Sequence, residues 1–325
     1  MNHIIDPGRH PVQPFPALPG SGGSVRRIGV EIEFMELGAR AAAEALSRGL
    51  GGAVLEEDPH SFLVRGSRLG ELTVELDTRY VHPAKHDRSL PVHLGRRSAA
   101  WLGALLTRFV PRELVVAPLP PERLPEMDKA VELLRSAGAR GRGANWLGSL
   151  GLHFNVDPPS LEVGTLLRHL RAFLLMESWL RQETFRAARW RLGLLLPAAY
   201  PQGYVRRVLA ADYRPDLAAF TDDYLRANPT RNRALDLLPV LLHLDEARVR
   251  ARLPFEKIGG RPALHYRLPW AHVGEPGWSI LPDWHRWMAV ERLAGDPELL
   301  AALSLEFLRD GGGAAMKRGR LLGCS

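Results

Sequence analysis

The sequence predicts an α+β protein in which an antiparallel β-sheet packs its apolar face against helices. Four short segments alternate between apolar and polar residues, which is the pattern of a strand with one buried face. Three extended segments near the N-terminus follow one another with only turns between them, as antiparallel neighbours do. Longer segments with apolar residues at helical spacing separate and follow these strands.

The composition is that of a globular protein with a sizeable core. The chain has 325 residues, of which 46% are hydrophobic. No apolar run reaches the roughly 18 to 20 residues of a membrane helix, and the first residues lack the apolar segment of a signal peptide. The only cysteine is Cys324, which excludes an intramolecular disulfide and a cysteine metal site. We therefore expect a soluble, cytoplasmic protein without a membrane partner.

The basic charge is compatible with more than one kind of partner. The net charge is +7 and comes mainly from scattered arginines. A basic chain can bind nucleic acid, but no basic run here is interleaved with aromatic residues as in single-strand binders. Arginine also binds carboxylates and phosphates through paired hydrogen bonds. The charge therefore suits a small anionic substrate equally well, and an ordinary arginine-rich surface explains most of the basic residues.

The domain organisation is simple. Residues 1–24 are rich in proline, glycine and serine, which predicts a flexible N-terminal segment. Residues 311–325 are expected to form a flexible C-terminal tail. Between them we find no internal repeat and no linker, so residues 25–310 are predicted to form a single catalytic domain.

The first predicted strand is IGVEIEF, Ile28–Phe34. Its alternation places Glu31 and Glu33 on one face together with Gly29, and apolar residues on the other. Such a pair of carboxylates can belong to a solvated surface or to the edge of a cation site. Taken alone, the pair favours the solvated surface.

The next segments predict a helix and three short strands. A helix over residues 39–48 ends at the glycines of positions 49, 51 and 52. Extended runs joined by turns follow over residues 53–57, 61–64 and 71–81. The third run, ELTVELDTRYV, alternates so that Glu75 and Asp77 share its polar face. A second pair of carboxylates therefore lies two residues apart on a predicted strand.

The middle of the chain predicts helices with strands between them. Helices are expected over residues 89–110 and 122–137, with a strand over residues 114–117. The loop GARGRG, residues 138–143, lacks the GK[ST] ending of a P-loop, so it is a flexible connection or a mobile cover over an active site. The next strand, LGLHFNVD over residues 150–157, carries His153 and Asn155 on its polar face.

The C-terminal half predicts more helices and one more strand. The segment ALHYRLP places His265 and Arg267 on one face of a strand over residues 263–269. Asp283 is expected to cap a helix on which Glu291 is polar among apolar neighbours and pairs with an arginine. The helix over residues 231–243 is expected to be broken or bent near Pro239. The remaining helices are predicted over residues 161–185, 216–226, 231–243 and 298–309.

The polar faces of the four alternating strands suggest one shared site. If the apolar faces all meet the helices, the polar faces line one concave floor. Carboxylates and a carboxamide are ligands that Mg²⁺ prefers, and arginine with a cation can neutralise a phosphoryl group in transfer. Each residue alone fits an ordinary surface or structural role, but their coincidence on four strands favours the shared site. Its members are Glu31, Glu33, Glu75, Asp77, His153, Asn155, His265 and Arg267.

A series of short motifs extends from residue 28 to about residue 300: IGVEIEF, LGELTVELD, HFNVD, DYLRANPTRNRALDLLPVL, RPALHYRLP and WHRWMAVERLA. Together they resemble the putative amidoligase family, which is regarded as part of the glutamine synthetase and glutamate–cysteine ligase superfamily of carboxylate–amine ligases. The resemblance implies a curved antiparallel sheet like that of the superfamily's catalytic domains. It also implies an enzyme that uses ATP and Mg²⁺ (or Mn²⁺) to form an amide bond through an acyl phosphate.

The resemblance also implies roles for individual residues. The predicted metal ligands are Glu31, Glu33, Glu75 and Asp77. Nucleotide, substrate or phosphate binding is implied for Asn155, Arg231, Arg233 and Arg261. Arg267 is expected to contact the phosphoryl group, and His153 or His265 to act as the base. His265 stands where related ligases have a glutamate, so one metal site can be lost or built differently here.

Two other functions remain open. A metal-dependent phosphoesterase or nuclease also uses clustered carboxylates, histidine and arginine, but we see no dense His/Asp motif and no lysine paired with the carboxylates. A non-enzymatic basic nucleic-acid-binding or scaffold protein is favoured only by the basic charge. For the ligase, the expected partners are a small-molecule or peptide carboxylate and an amine, whose identities the sequence leaves open.

Overall fold

The structure, a computed structural model, describes residues 25–77, 110–141, 150–185 and 197–310. These residues form two compact units whose segments alternate along the chain. The first contains Arg27–Asn155 and Pro269–Leu281, and the second contains Arg26, Val156–Leu268 and the chain from Pro282 onward. A single catalytic domain over residues 25–310 stays a prediction. The segments predicted to be flexible, residues 1–24 and 311–325, lie outside the described residues.

The first unit is built around a sheet of antiparallel strands. The order of its strands is β2-β3-β4-β5-β1-β6, so β1 lies between β5 and β6. The pairs β2–β3, β3–β4, β4–β5 and β5–β1 are antiparallel. This confirms the α+β class and the antiparallel neighbours. The strands are β1 (Ile28–Phe34), β2 (Ala53–Asp58), β3 (Ser61–Ser67), β4 (Gly70–Leu76), β5 (Arg112–Leu119) and β6 (Leu152–Val156).

The apolar faces that the alternation predicts are buried, and on β1 and β6 most of the polar face is buried as well. The residues of β1 that face away from Glu31 and Glu33 are fully buried, and so are their counterparts on β4, β5 and β6. Helix α1 (Ala39–Leu50) packs against β3 and β4 and against α2 (Met127–Ser136). The fully buried members of the apolar face include Ile28, Val30, Ile32, Phe34, Leu72, Val74, Leu114, Leu152 and Phe154.

Two helix boundaries in the first unit differ from the prediction. Helix α1 continues through Gly49, because a Cβ there would lie 2.4 Å from Leu133 of α2 and glycine permits this close packing. The helix ends at Gly51, which has a φ of 79°. The helix predicted over residues 122–137 is divided into a 3₁₀ turn, Pro121–Glu126, and α2. Pro125 lies at the division, where its missing N–H disfavours a continuous α-helix.

The second unit is mainly helical. Its strands β7 and β8 pair in antiparallel orientation, with Asp236 opposite His265. None of the helices in the described parts of the chain is long and apolar enough to cross a membrane. The elements are α3 (Val163–Phe185), α4 (Gln202–Leu209), α5 (Leu217–Ala227), β7 (Leu235–Asp236), α6 (Leu238–Leu244), α7 (Glu246–Arg252), β8 (Leu264–Tyr266), α8 (Leu281–Ala294) and α9 (Pro297–Arg309).

Two predictions for the second unit are wrong in detail. The helix predicted over residues 231–243 begins only at Leu238, because the preceding residues pair with β8, and the side chain of Asp236 accepts the Leu238 N–H. Of the two expectations for Pro239, the break holds and the bend does not: the helix begins just before Pro239, whose missing N–H costs no helical hydrogen bond in the first turn. Asp283 lies inside the first turn of α8 and pairs with Arg286, so it is not the N-cap.

Two further predictions, one for a helix and one for a loop, fall partly outside the described residues. The amphipathic helix predicted over residues 89–110 lies outside them except for its last residue, and the loop predicted over residues 138–143 is described only through residue 141.

Candidate functional site

Three glutamates form a row across neighbouring strands of the first unit. Glu113 on β5 is directly opposite Glu33 on β1 and directly opposite Glu75 on β4. Residues paired in this way have Cβ atoms about 4.5 to 5.5 Å apart and share one face of the sheet. The row continues to β3, where the buried Ser61 hydroxyl lies 3.2 Å from a Glu75 carboxylate oxygen. We call Glu33, Glu113 and Glu75 the carboxylate row.

Glu113 was missed by the sequence prediction. The strand was predicted to begin at residue 114, whereas β5 begins at Arg112 and includes Glu113. The alternation of RELVVAPL places Glu113 on the face opposite Leu114, so extending the strand by two residues would have found it. A strand boundary set two residues late therefore hid the central member of the row.

The electrostatic setting of Glu113 is strongly acidic. Burial raises the pKa of Glu113 well above its ordinary value, and the negative charges of Glu31, Asp77, Glu33 and Glu75 raise it further. Like charges at this spacing cannot all be ionised without a large electrostatic penalty. The cluster therefore favours a proton or a cation among its carboxylates.

Glu31 holds two functional side chains of β6 in place. Its carboxylate accepts a hydrogen bond from Asn155 Nδ2 at 2.7 Å, and its other oxygen lies 3.1 Å from His153 Nδ1. All three side chains are buried, with exposed fractions of 7%, 8% and 6% for Glu31, Asn155 and His153. The His153 ring therefore lies between two carboxylates, with Nδ1 toward Glu31 and Nε2 4.0 Å from Glu33 Oε1.

Two glycines make room for these side chains. A Cβ at Gly151 would lie 2.3 Å from His153 Nε2, so only glycine lets the imidazole lie against the backbone there. The Gly151 N–H also donates to Glu33 Oε2 at 2.8 Å. A Cβ at Gly29 would lie 3.3 Å from the Cβ of Asn155. The sequence motifs IGVEIEF and LGLHFNVD therefore need their glycines as well as their polar residues.

The donor atoms of this region fit a divalent cation. Glu33, Glu113 and His153 each offer one ligand atom, and these atoms lie within 4.8 Å of one another. The Asn155 carboxamide oxygen is buried and has no hydrogen-bond partner among the described residues. Carboxylate and carboxamide oxygens suit hard cations such as Mg²⁺ or Mn²⁺, whereas an imidazole is more typical of zinc, copper, iron and nickel sites. The three side chains therefore form a candidate site for a divalent cation, in which His153, which the sequence had assigned to catalysis, is a candidate ligand.

Comparison with known proteins identifies the family. A family model described as "putative amidoligase enzyme" matches residues 24–289, which is most of the chain. The chain belongs to this family. The match confirms the resemblance seen in the sequence motifs, and it indicates an enzyme that forms amide bonds. No curated protein and no solved structure gives a significant match to the chain.

Six residues that the sequence predicted for the amidoligase site lie together in the first unit. Glu75 belongs to the carboxylate row, and the negative charge of Asp77 is among those that act on Glu113. Asp77 follows β4, and its N–H donates to the carbonyl of Pro111. The roles of the four acidic residues as metal ligands, of His153 in catalysis and of Asn155 in nucleotide binding stay predictions. The six residues are Glu31, Glu33, Glu75, Asp77, His153 and Asn155.

The predicted catalytic residues His265, on β8, and Arg267, which follows β8, belong to the second unit. His265 is fully buried, with Nδ1 3.9 Å from a carboxylate oxygen of Asp236. Arg267 is partly exposed, and its guanidinium donates to the carbonyl of Arg231 at 2.8 Å. The predicted catalytic roles of His265 and Arg267 stay predictions.

The three predicted binding arginines differ in their surroundings. Arg233 is buried and donates to Asn228 Oδ1 and to the carbonyl of Ala199, both at 2.8 Å, which is a structural arrangement. Arg231 is partly exposed, and its Nε is buried without a hydrogen-bond partner among the described residues. Arg261 is also partly exposed, and its N–H donates to the carbonyl of Pro239. Of the three, Arg233 is the one most fully engaged by the protein itself.

Glu291 pairs with an arginine, as predicted, inside the second unit. It is fully buried and accepts hydrogen bonds from Arg26 at 2.8 and 3.0 Å and from Trp287 Nε1 at 3.0 Å. His169 Nε2 lies 3.3 Å from the same carboxylate. Burial alone raises the pKa of Glu291, but His169 and then Arg26 outweigh it and lower the pKa to about 2. Glu291 is therefore a buried structural anion.

Proposed function

We propose that this member of the amidoligase family is an ATP- and Mg²⁺-dependent (or Mn²⁺-dependent) carboxylate–amine ligase. The observation that carries the proposal is the carboxylate row, in which Glu33, Glu113 and Glu75 face one another across three strands. The family supplies amide bond formation, and the row supplies a place for the cation that ATP chemistry needs. The proposed substrates are a small-molecule or peptide carboxylate and an amine, met in the cytoplasm.

The proposed reaction has two steps. In the first, an oxygen of the substrate carboxylate attacks the γ-phosphorus of ATP, ADP leaves, and an acyl phosphate forms. In the second, the amine nitrogen attacks the acyl carbon, inorganic phosphate leaves, and a base accepts the proton that the nitrogen loses. Both steps bring anionic groups together, so positioning and charge neutralisation supply most of the catalysis.

The residues of the first unit suit the cation's part in this chemistry. A bound Mg²⁺ would offset the charge of the phosphates and of the substrate carboxylate. Glu33, Glu75 and Glu113 would hold it, and the cation would offset the negative charges of the neighbouring carboxylates that raise the pKa of Glu113. The buried carboxamide oxygen of Asn155 supplies a further neutral ligand.

His153 suits either of two roles in the proposed reaction. Its Nδ1 faces Glu31, so Nε2 is the atom proposed to bind the cation or to accept the proton of the amine. Arg267 is proposed to contact the phosphoryl group, with Arg231, Arg233 and Arg261 as nucleotide or substrate contacts and His265 as the other candidate base. These roles rest on the motif resemblance.

The proposal is tested by measuring ADP. Purified protein is incubated with ATP, Mg²⁺ and pools of carboxylic acids and amines, and we expect ADP release that requires both an acid and an amine. Phosphate release without an amine would favour the phosphoesterase alternative. Failure to bind ATP with Mg²⁺ at all would refute the ligase.

A matched pair of variants tests the carboxylate row. Glu33→Gln should abolish ADP release without changing the melting temperature by more than a few degrees, because the amide oxygen can still accept the Gly151 N–H. Glu44→Gln, at an exposed position of α1, is the control and should keep full activity. A large fall in the melting temperature of Glu33→Gln would show instead that this carboxylate is structural.

A further inference from the structure

A groove in the second unit combines arginines with an apolar wall. Its volume is about 570 Å³, within the range of small-molecule sites. It is lined by the N-terminal part of α3, the segment between α4 and α5, and α9. Among the described residues that line it there are three arginines, Arg168, Arg171 and Arg214, and no aspartate or glutamate. The groove therefore carries positive charge that its own lining does not neutralise.

The Arg171 guanidinium is held by backbone carbonyls through Nε and Nη2, and the N–H donors of Nη1 remain available to a ligand. Its Nε donates to the carbonyl of Val208 at 2.7 Å, and its Nη2 donates to Ala210 at 3.0 Å and to Tyr213 at 2.9 Å. A guanidinium has five N–H donors, and the two on Nη1 have no partner among the described residues. Burial lowers the pKa of Arg171, and the charge of Arg214 lowers it further. An anion placed at Nη1 would relieve this unfavourable charge.

The other two arginines add to the same charge. Arg168 is half-buried and donates to the Thr165 hydroxyl at 3.2 Å, and Arg214 is exposed. Within the described parts of the chain, neither makes an ion pair. The first residues of α3, Val163 and Gly164, also line the groove. The N-terminus of this 23-residue helix adds a partial positive charge.

The apolar wall of the groove consists mainly of leucines. Leu167 of α3 and Leu300 of α9 are buried, whereas Leu305, one turn further along α9, is 46% exposed. A large apolar side chain that stays open to water beside a concave surface is typical of a surface that something apolar covers. The arginines and the leucines of the groove together suit a ligand with an anionic head group and an apolar chain.

We propose that this groove binds an amphiphilic organic anion, with its carboxylate or phosphate held by Arg171, Arg168 and Arg214 and its apolar chain against Leu167, Leu300 and Leu305. Arginine binds both head groups through paired hydrogen bonds, so the groove does not distinguish them by charge alone. The volume suits a ligand of small-molecule size. This proposal is independent of the ligase activity, because none of the residues that line the groove has a role in the proposed reaction.

Calorimetric titration of the full-length protein tests the proposal with matched probes. Nonanoate and octyl phosphate carry the same eight-carbon alkyl chain with different anionic heads, and 1-octanol and octylammonium carry it without an anion. We expect at least one anion to bind at least tenfold more tightly than 1-octanol, and octylammonium not to bind. The stronger of the two anions identifies the head group. Equal binding of all four probes, or of none, would overturn the proposal.

Substitutions locate the binding in the groove. The double variant Arg168→Gln with Arg214→Gln should weaken anion binding at least tenfold, while Arg206→Gln, an exposed arginine of α4 outside the lining, should leave it unchanged. Leu305→Glu, at an exposed position that tolerates a polar side chain, should also abolish anion binding. Circular dichroism and melting temperature check that each variant is folded. Unchanged binding in either folded groove variant would overturn the assignment.

Discussion

Replacement of Glu291 by glutamine tests a buried charge cluster of the second unit. The Glu291 carboxylate accepts hydrogen bonds from both terminal nitrogens of Arg26 and from the Trp287 indole N–H. His169 Nε2 also lies 3.3 Å from this carboxylate. Glutamine keeps the shape of the side chain but removes its negative charge. Arg26, whose side chain is 9% exposed, then has no counter-ion at that position. A buried cation that loses its partner is strongly destabilising.

The magnitude follows from the pKa of Glu291. Its pKa falls from an ordinary 4.5 to about 2 on folding. A difference of this size corresponds to about 3 kcal/mol of stability at neutral pH, and removal of one member of a buried ion pair typically costs about 3 to 5 kcal/mol. We therefore expect Glu291→Gln to lower the free energy of unfolding by about 3 kcal/mol at pH 7.

The pH dependence of stability gives a second measure of the contribution of Glu291 to the free energy of unfolding. A lowered carboxylate pKa stabilises the folded state above pH 4.5, where the unfolded chain is ionised, and this contribution is lost as the pH falls toward 2. The difference between wild type and Glu291→Gln should shrink from about 3 kcal/mol at pH 7 to about 1.4 kcal/mol at pH 3.

Urea denaturation followed by tryptophan fluorescence measures both effects. Glu298→Gln, at an exposed position in the first turn of α9, is the matched control and should change stability by less than about 0.5 kcal/mol. The reasoning would be refuted if Glu291→Gln lost less than about 1 kcal/mol at pH 7. It would also be refuted if the difference from wild type were independent of pH between 7 and 3.

Three further predictions concern the first unit. Glu113→Gln removes a carboxylate that its neighbours repel, so it should raise the melting temperature at pH 7 in the presence of a chelator. The same variant should abolish the rise in melting temperature that Mg²⁺ produces in wild type. Gly151→Ala should displace the His153 imidazole and lower the rate of ADP release at least a hundredfold while the protein stays folded. Gly52→Ala should lower the free energy of unfolding by about 1 to 3 kcal/mol, because residue 52 has a φ of 90° and an added Cβ would lie 2.7 Å from a backbone oxygen. Gly38→Ala is the control, because no atom lies within 4 Å of a Cβ added there.

Each of these predictions has an outcome that contradicts it. If Glu113→Gln is less stable than wild type in chelator, the carboxylates do not repel one another as described. Full activity in Gly151→Ala would show that the histidine ring can move without consequence. Equal stability of Gly52→Ala and Gly38→Ala would show that the turn at residue 52 relaxes easily.

The strands and their faces could be predicted from the sequence because alternation is a local property. IGVEIEF and LGLHFNVD show which side chains share a face within seven or eight residues, and the structure confirms both strands. Burial of the apolar side then follows for every strand that has this pattern. Six of the predicted site residues consequently lie together in the first unit.

The contacts between strands could not be predicted in this way. The alignment of Glu113 with Glu33 and Glu75 depends on the register of β5 with β1 and β4, which is set by packing between residues about 40 to 80 positions apart. Local patterns also misjudged residues 231–243, because their helical spacing was overridden by the pairing of Asp236 with His265. Long-range pairing was the missing information in both cases.

The carboxylate row supports a cation site more strongly than the number of its glutamates would alone. On a solvated sheet face, acidic side chains directly opposite one another destabilise the strands, and a basic partner would relieve them. Here Glu113 has an acidic neighbour on each side, and the further carboxylates that raise its pKa include Glu31, which is occupied in orienting His153 and Asn155. A fold that keeps such repulsion at its centre loses stability unless a ligand restores it. Removal of the Glu113 carboxylate should therefore raise stability in chelator and abolish the stabilisation by Mg²⁺. Removal of a purely structural carboxylate would instead lower stability both with chelator and with Mg²⁺.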